Sequence, residues 1–269
     1  MVTGANHGIG AATARALASE AARVFITYLS RPPEHWGVSP EAAEDACQPG
    51  IELMARTWAT SAAGVVQEIR DAGGTAEAWE ADLADPSNIP RVFDRAEAAF
   101  GPVEILVNNA THCEMPPTTV FTTSAELFDR YFAVNTRGTV LMMKEFVTRH
   151  RERGAKWGRI INLSQDAAQV GGAHIAYSST KATIEMLTRA TVRAAGPMGI
   201  TVNAVAPGPV QTGYLRPEQA EAEAAGLPLR RIGQPEDIAN VVVFLASDLA
   251  GWMTGQVIKV DGGHGFQWK

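Results

Sequence analysis

The sequence predicts an α/β fold: a doubly wound, mainly parallel β-sheet with helices on both faces. Short runs rich in β-branched residues alternate with longer helical patterns, which is typical of parallel strands joined by helices. A glycine-rich turn, T-G-A-N-H-G-I-G from Thr3 to Gly10, opens this alternation. The 269 residues, 46% of them hydrophobic, suffice for one domain with a large core. We therefore expect a single domain over residues 1–269.

The elements are predicted from the pattern of apolar residues. Short continuous apolar runs indicate buried strands, and apolar residues at helical spacing indicate the helices between them. The strands predicted from these runs are Arg23 to Tyr28, Thr75 to Glu80, Ile105 to Asn108, Arg159 to Leu163, Ile200 to Val205 and Val257 to Val260. The helices predicted between them are Ile9 to Ser19, Ala59 to Ala72, Ile89 to Phe100, Ser124 to Arg151, Ala176 to Ala195 and Glu236 to Ser247.

Two regions depart from this rhythm. Only Met1 and Val2 precede the glycine turn, although strands average about five to six residues. We expect either that the natural start lies upstream or that the chain is less stable than one extended by a few apolar residues. The second region, residues 31–58, holds four prolines and two tryptophans and reads as an insertion. We expect it to be largely irregular, with a short helix from Pro40 to Cys47, and it is either a surface decoration or functional.

Composition argues against several classes of function. The net charge is −6 and no basic run is present, so we expect no nucleic-acid partner. The longest strongly apolar stretch, Val241 to Ala246, is too short to span a membrane, and no secretory signal opens the chain. Cys47, Cys113 and the histidines lack metal-ligand spacing, so we expect free thiols in a reducing cytoplasm and no metal.

Tyr177 and Lys181 form a Y-x-x-x-K pair, and Ser164 lies thirteen residues before the tyrosine. With the glycine turn, this order resembles the short-chain dehydrogenase/reductase family of NAD(P)(H)-dependent oxidoreductases. Further motifs in the family's order extend the resemblance over nearly the whole chain: A-D-L (81–83), N-N-A (108–110), V-N-T-R-G (134–138), I-N-L-S (161–164), N-A-V-A-P-G (203–208), G-Q-P-E-D-I-A (233–239) and V-D-G-G (260–263). The resemblance implies a Rossmann fold with seven strands in the order 3-2-1-4-5-6-7. The nearest named branch is that of the 3-oxoacyl-acyl-carrier-protein reductases.

The cofactor site begins at the glycine turn. Gly4, Gly8 and Gly10 allow a sharp turn that brings amides and a helix N-terminus to a pyrophosphate. By resemblance, Asp82 bonds the adenine and Pro207 belongs to the loop that holds the nicotinamide carboxamide. The cofactor-binding residues predicted in this way are Gly4, Asn6, His7, Gly8, Ile9, Gly10, Ser30, Arg31, Asp82, Leu83, Asn109, Ala110, Tyr177, Lys181, Pro207, Gly208, Val210 and Thr212.

The end of the second strand distinguishes NAD from NADP, because an acid there binds the ribose 2′-hydroxyl and repels a 2′-phosphate. Tyr28 occupies that position, and Ser30 and Arg31 offer a hydroxyl and a guanidinium. We therefore expect NADP(H) to be preferred, with NAD(H) possible. His7 is compatible with either cofactor, and Arg31 has an alternative reading as a solvated loop residue.

The resemblance also assigns the catalytic residues Asn135, Ser164, Tyr177 and Lys181. A free phenol has a pKa of about 10. The ammonium of Lys181, four residues along the same helix face, should act with the oxidised nicotinamide to favour the phenolate of Tyr177. Ser164 would donate a hydrogen bond to the substrate oxygen. Asn135 would hold a water that links Lys181 to solvent.

The substrate depends on residues 116–124, on a loop at about 213–228 and on the residues after Ser164. Thr111 stands where the family has glycine, and it either crowds the cofactor wall or lines the substrate cleft. Asp166 lies where relatives carry a small or apolar residue. It either caps a turn and faces solvent, or bonds a hydroxyl or amine of a polar substrate and disfavours long acyl chains.

The sequence therefore predicts a cytoplasmic, NADP(H)-preferring oxidoreductase that interconverts a carbonyl and a secondary alcohol on a small-molecule substrate, with Tyr177 as acid/base. The family also leads us to expect a homo-oligomer, a tetramer or a dimer. Two alternatives stay open: a catalytically silent dinucleotide-binding regulator, and a 3-oxoacyl thioester reductase of fatty-acid or polyketide metabolism.

Overall fold

The computed structural model describes residues 1–114, 118–166 and 174–266. Seven parallel strands form one sheet in the order β3-β2-β1-β4-β5-β6-β7, and helices cover both faces. The predicted doubly wound Rossmann architecture and its strand order are confirmed. The strands are β1 Val2–Thr3, β2 Arg23–Tyr28, β3 Thr75–Glu80, β4 Ile105–Asn108, β5 Gly158–Leu163, β6 Ile200–Pro207 and β7 Val257–Val260.

The strand predictions are close to the observed bounds. Strands β2, β3, β4 and β7 match theirs, β5 begins one residue earlier at Gly158, and β6 continues two residues further to Pro207. The helices are α1 Gly8–Ser19, α2 Pro40–Glu44, α3 Ile51–Ala59, α4 Ala63–Asp71, α5 Asn88–Phe100, α6 Ala125–Tyr131, α7 Thr139–Glu152, α8 Ile175–Ala195, α9 Pro217–Gly226 and α10 Pro235–Ala246.

Two predicted helices differ from the structure: one begins later and the other is divided. The pattern over 59–72 yields a helix only from Ala63, because Thr60 is extended and the Ser61 hydroxyl accepts a hydrogen bond from the Ala63 amide at 3.3 Å. The pattern over 124–151 is interrupted by a π-helical turn, Phe132–Gly138, between α6 and α7. Such turns add a residue to the helix and are frequent at functional sites.

Two apolar clusters hold the helices on the sheet. On one face, α1, α4 and α10 bury side chains such as Leu17, Ile69 and Leu245. On the other, α5 and α7 bury Phe93 and Phe146. Because both faces of the sheet are covered, the central strands β5 and β6 are buried along their whole length. Burial of their apolar side chains stabilises the fold by roughly 25 cal/mol per Å² of apolar surface.

The first strand has only two residues, but its pairing extends to the N-terminus. Val2 pairs with Ile26 on one side and Val107 on the other. The Met1 carbonyl accepts from the Val107 amide at 2.9 Å, and the terminal amine donates to the Ile105 carbonyl at 2.8 Å. Burial lowers the pKa of that amine to about 5. The short strand therefore places a group that prefers water in the centre of the sheet.

The insertion is more ordered than expected. It contains a 3₁₀ turn, Pro33–Trp36, followed by α2 and the nine-residue α3. Helix α2 ends at Glu44, three residues earlier than the predicted end at Cys47. The prediction of a largely irregular segment is wrong. Apolar residues of α3 recur at helical spacing, and α3 packs on α2 through a small core that includes Val38, Ala43 and Ala55.

Among the helices of the described residues, none combines the length and the hydropathy that crossing a bilayer requires.

Two or three apolar residues added before Met1 should raise the melting temperature, because they lengthen β1 and move the terminal amine out of the sheet and into water. A buried apolar side chain contributes roughly 1.5–3 kcal/mol, and about 1 kcal/mol shifts the midpoint of a chain of 150–250 residues by about 2–4 °C. Thermal melts of the two chains measure the effect. A polar extension of equal length serves as the control and should gain less, and identical midpoints for all three would contradict the prediction.

Candidate active site

A cavity of about 660 Å³ opens at the carboxyl ends of the strands, within the range of about 300–1,000 Å³ that is usual for ligand sites. It lies over β1 and β4, where the strand order reverses and open α/β sheets bind their ligands. All of the predicted cofactor residues line it except Ser30. Three predicted catalytic residues, Ser164, Tyr177 and Lys181, line it as well, together with Asp166.

The glycine turn brings the backbone close to the segment after β4. Gly4 has φ +63°, and a Cβ there would lie 2.7 Å from Ala110 Cα. Gly8 has φ +54°, so both positions favour glycine. His7 precedes α1 without a side-chain cap, which leaves amides of the first turn for an anion in the cavity. The turn therefore fits a pyrophosphate.

Hydrogen bonds fix the two sides of this crevice. The Thr3 hydroxyl accepts from the amides of Asn109 and Ala110 at 3.0 and 2.9 Å. The Asn109 side chain donates to the carbonyls of Thr3 and Gly4 at 2.9 and 2.8 Å. The loop after β1 and the segment after β4 therefore form one preorganised unit.

An acidic side chain that the sequence pattern does not reveal lies beside the end of β2. Tyr28 pairs in register with Glu80 of β3, and the Glu80 carboxylate accepts from the backbone amide of Ser30 at 2.8 Å and from its hydroxyl. The Ser30 hydroxyl, which we assigned to the cofactor, is therefore already hydrogen-bonded to Glu80. The Arg31 guanidinium lies 3.7 Å from the Asp82 carboxylate and lines the cavity.

His7 does not add a charge to this end of the cavity. Burial lowers its pKa to about 4, so the ring is neutral at pH 7. The ring stacks on Trp58 of the insertion, with centroids 5.2 Å apart.

Tyr177 and Lys181 project from α8 toward the end of β5. The Lys181 amine is buried, donates to the Leu163 carbonyl at 2.8 Å and lies 5.3 Å from the centroid of the Tyr177 ring. Desolvation lowers the pKa of Lys181 to about 8 and raises the pKa of Tyr177 above that of a free phenol. Without a bound cofactor, Tyr177 is therefore protonated at neutral pH.

Ser164 follows β5 and is also buried. Its hydroxyl lies 3.2 Å from the Lys181 carbonyl and 3.1 Å from a carboxylate oxygen of Glu185, one turn beyond Lys181. No motif pointed out Glu185 as a neighbour of Ser164.

Asn135 lies in the π-helical turn, fully buried behind the cavity. Its side-chain amide donates to the His112 carbonyl at 3.0 Å and to the Thr180 hydroxyl at 3.1 Å, and its oxygen accepts from the His112 amide at 2.6 Å. The side chain thus joins the segment after β4 to α8. The water-binding role assigned to this residue stays a prediction.

Asp166 does not face solvent. Its side chain is 10% exposed and is paired with Nδ1 of His264, in the segment after β7. Tyr214 also lines this end of the cavity, where burial and nearby acids, Glu223 and Asp166 among them, raise its pKa to about 12.

The predicted substrate loop, at about 213–228, contains helix α9. Residues 116 and 117, and 167–173 after Ser164, lie outside the described part of the chain.

A family model described as "Enoyl-(Acyl carrier protein) reductase" matches residues 33–265. A "Short-chain type dehydrogenase/reductase" from Picea abies is 37% identical, over 98% of this chain and 91% of that protein. A "NADPH-dependent aldehyde reductase-like protein, chloroplastic" from Arabidopsis thaliana is 36% identical, over 98% and 93%. A blue fluorescent protein from a metagenomic library, solved in complex with NADPH, has TM-score 0.79 and 30% identity, over 98% and 96%.

The chain belongs to the short-chain dehydrogenase/reductase family. The resemblance predicted from the motifs is confirmed, as is the enzyme class, an NAD(P)-dependent oxidoreductase acting on CH–OH groups.

As a short-chain dehydrogenase/reductase, the protein has an extra wall on its cleft. Trp36, Met54 and Trp58 of the insertion line the cavity that also holds the glycine turn. Two features of the sequence mark this wall: the two tryptophans within residues 31–58 and the helical spacing of apolar residues in α3. Within the described residues, no group of three or more histidine, cysteine or acidic side chains is arranged to hold a metal ion.

Proposed function

We propose that this short-chain dehydrogenase/reductase interconverts a carbonyl and a secondary alcohol on a small molecule, prefers NADP(H), and uses Tyr177 as its acid/base. The observation that carries the proposal is the convergence of Tyr177, Lys181 and Ser164 on one cavity whose other end is the glycine turn. A silent regulator has no need of this convergence. Cytoplasmic location, assembly as a dimer or tetramer and the single domain remain predictions.

The chemistry that a bound nicotinamide supplies is hydride transfer to or from the substrate carbon. In the reducing direction, Tyr177 donates its proton to the carbonyl oxygen while the C=O π-bond breaks and new C–H and O–H bonds form. The proton is later restored to Tyr177 from solvent. In the oxidising direction Tyr177 accepts the hydroxyl proton.

Lys181 and Ser164 support that proton transfer. The Lys181 ammonium favours the phenolate of Tyr177, and a pKa of about 8 keeps most of its population charged at pH 7. The Ser164 hydroxyl turns from its present acceptors toward the substrate oxygen and donates to it as negative charge builds. Asn135 holds Thr180, the residue before Lys181, in place.

The preference for NADP(H) depends mainly on Arg31. Of the two residues that favour NADP(H) at the end of β2, Ser30 is bonded to Glu80. His7, which is compatible with either cofactor, is neutral at pH 7. Arg31 carries a permanent charge at the cavity wall, and a guanidinium matches phosphate geometry. NADPH also occurs in the names of the Arabidopsis relative and the metagenomic neighbour. Glu80 opposes this preference, so NAD(H) stays possible.

The acidic end of the cleft favours a polar substrate. Asp166, placed by His264, would bond a hydroxyl or amine, and Glu223 would add negative charge nearby. The Asp166 carboxylate would disfavour a long alkyl chain, which offers it no partner.

Tyr177→Phe should reduce kcat by about 10²–10⁴-fold, the usual contribution of a general acid or base. The dissociation constant for NADPH should change little, because the ring and its packing remain. Steady-state turnover over a panel of ketones, aldehydes and alcohols, together with fluorescence titration of NADPH, measures both. A variant that keeps most of its kcat would remove Tyr177 from the mechanism, and a wild type that binds NADPH without turnover would favour the regulator.

Arg31→Ala should weaken NADPH binding by at least about 10-fold and NADH binding far less, because a charge-assisted hydrogen bond is worth about 1.5–3 kcal/mol. Titration with each dinucleotide measures the difference. Arg15→Ala is the matched control, since Arg15 pairs with Glu68 on the outer surface. Equal losses for the two dinucleotides, or a wild type that prefers NADH, would contradict the proposal.

Asp166→Ala should narrow the preference for hydroxylated or cationic carbonyl compounds over alkyl 3-oxoacyl thioesters. A site built to bond a polar group rejects substrates that leave its own polar atoms unpaired, and the variant no longer has the carboxylate that an alkyl chain would leave unpaired. The readout is the ratio of kcat/KM for the two substrate classes. Asp166→Asn, which keeps the shape without the charge, separates hydrogen bonding from charge. A wild type that prefers the thioesters, with no change in the variant, would support the thioester-reductase alternative instead.

A further inference from the structure

Three hydrogen bonds fix the position of the insertion, residues 31–58: one joins its two ends, one holds its C-terminal flank to the glycine turn, and one holds its far side to the substrate loop. At its base the Arg31 amide donates to the Trp58 carbonyl at 3.0 Å. The Asn6 side chain, in the glycine turn, donates to the Thr60 carbonyl just beyond it at 2.9 Å. At its far side the Gly50 amide donates to the Gly213 carbonyl of the substrate loop at 2.9 Å. The insertion therefore has a defined position over the cleft.

Five aromatic side chains form a continuous row across that cleft. Trp58 stacks on His7, and Trp36 meets Trp58 edge to face at 4.5 Å between centroids. His35 lies 4.8 Å from Trp36 and 6.4 Å from His112, both also edge to face. We call this row, His7, Trp58, Trp36, His35 and His112, the aromatic arch. All five residues line the cavity.

The two ends of the arch lie on the two sides of the ligand crevice. His7 belongs to the loop after β1, and His112 follows β4. These strands are neighbours at the reversal of the strand order, and a dinucleotide binds in the crevice between their carboxyl ends. A chain of contacts from one side to the other crosses that crevice. A dinucleotide bound there has the sheet on one side and the arch on the other.

One polar atom of the arch lacks a partner. Trp36 Nε1 is buried and makes no hydrogen bond within the part of the chain that the structure describes. A buried N–H without an acceptor is costly, about 1–3 kcal/mol, so such groups usually meet a ligand or water. A dinucleotide carries phosphate and ribose oxygens, which are acceptors.

We propose that the aromatic arch covers the bound dinucleotide, and that Trp36 Nε1 donates a hydrogen bond to one of its phosphate or ribose oxygens. This inference rests on the proposed function in requiring a dinucleotide in the crevice. The insertion is then part of the cofactor site. Because the dinucleotide leaves only after one of the ring contacts in the arch breaks, its release is slow.

The test is the dissociation rate of NADPH, measured by stopped-flow displacement with excess NADP⁺. Trp58→Ala should raise that rate by about 10-fold or more, because it removes the ring that joins Trp36 to His7. Interface substitutions change the dissociation rate more than the association rate. Trp36→Phe keeps the ring and loses the N–H, so it should weaken binding by about 3- to 10-fold. Trp252→Phe is the control, since Trp252 is fully exposed, and it should change nothing.

The wild type provides a second test that depends on no variant. NADPH binding should slow amide hydrogen exchange in residues 50–59, because an arch held on the ligand opens less often. No change in exchange overturns the proposal even if the Trp58 variant fails to fold. Unchanged NADPH release in both arch variants overturns it as well, and so does an effect confined to the KM of the substrate. Wild-type protein that binds no dinucleotide would instead refute the proposed function itself.

Discussion

The reversal of strand order between β1 and β4 is the constraint on which the site depends. The connections from these neighbouring strands lead away in opposite directions, so a crevice is left between their carboxyl ends. Thr3 and Asn109 fasten its two sides together, and the close approach at Gly4 leaves no room for a side chain. The floor of the cavity is therefore rigid before any ligand arrives, which lowers the entropic cost of binding.

The electrostatics of the catalytic end follow from burial. Burial of the Lys181 amine lowers its pKa to about 8, and burial of the phenol raises the pKa of Tyr177. Burial and the neighbouring charge thus act on the phenol in opposite directions. A positive charge from an oxidised nicotinamide would strengthen the second effect in the low-dielectric cleft. The protein alone keeps Tyr177 protonated, and we infer that the phenolate forms only when the cofactor is in place.

Local patterns in the sequence were enough for most of the fold, and three of the four predicted catalytic residues line one cavity. The alternation of short strand-like runs with helical patterns was enough to locate β2, β3, β4 and β7, including the mostly exposed edge strand β3. Tyr177 and Lys181 share a helix face, and Ser164 ends a strand, so their motif encodes their proximity. The order of the strands came from family resemblance, since spacing alone does not determine it.

What the sequence did not reveal depends on contacts between distant residues. Glu80 reaches Ser30 because β3 lies beside β2, and His264 reaches Asp166 from the segment after β7. Proline and tryptophan in residues 31–58 pointed to an irregular loop, whereas α3 is stabilised by packing on Val38 and Ala43. The stack of Trp58 on His7, which ties this segment to the glycine turn, has no local signal at all.

A crystal structure of the complex with NADP⁺ tests the central claim most directly. We predict the pyrophosphate at the first turn of α1, the adenosine beside Asp82 and Arg31, and the nicotinamide within reach of Tyr177 and Lys181. The dinucleotide should lie beneath Trp36 and Trp58. A dinucleotide bound outside this crevice, or one whose nicotinamide lies away from Tyr177, would contradict both the catalytic assignment and the proposed role of the insertion.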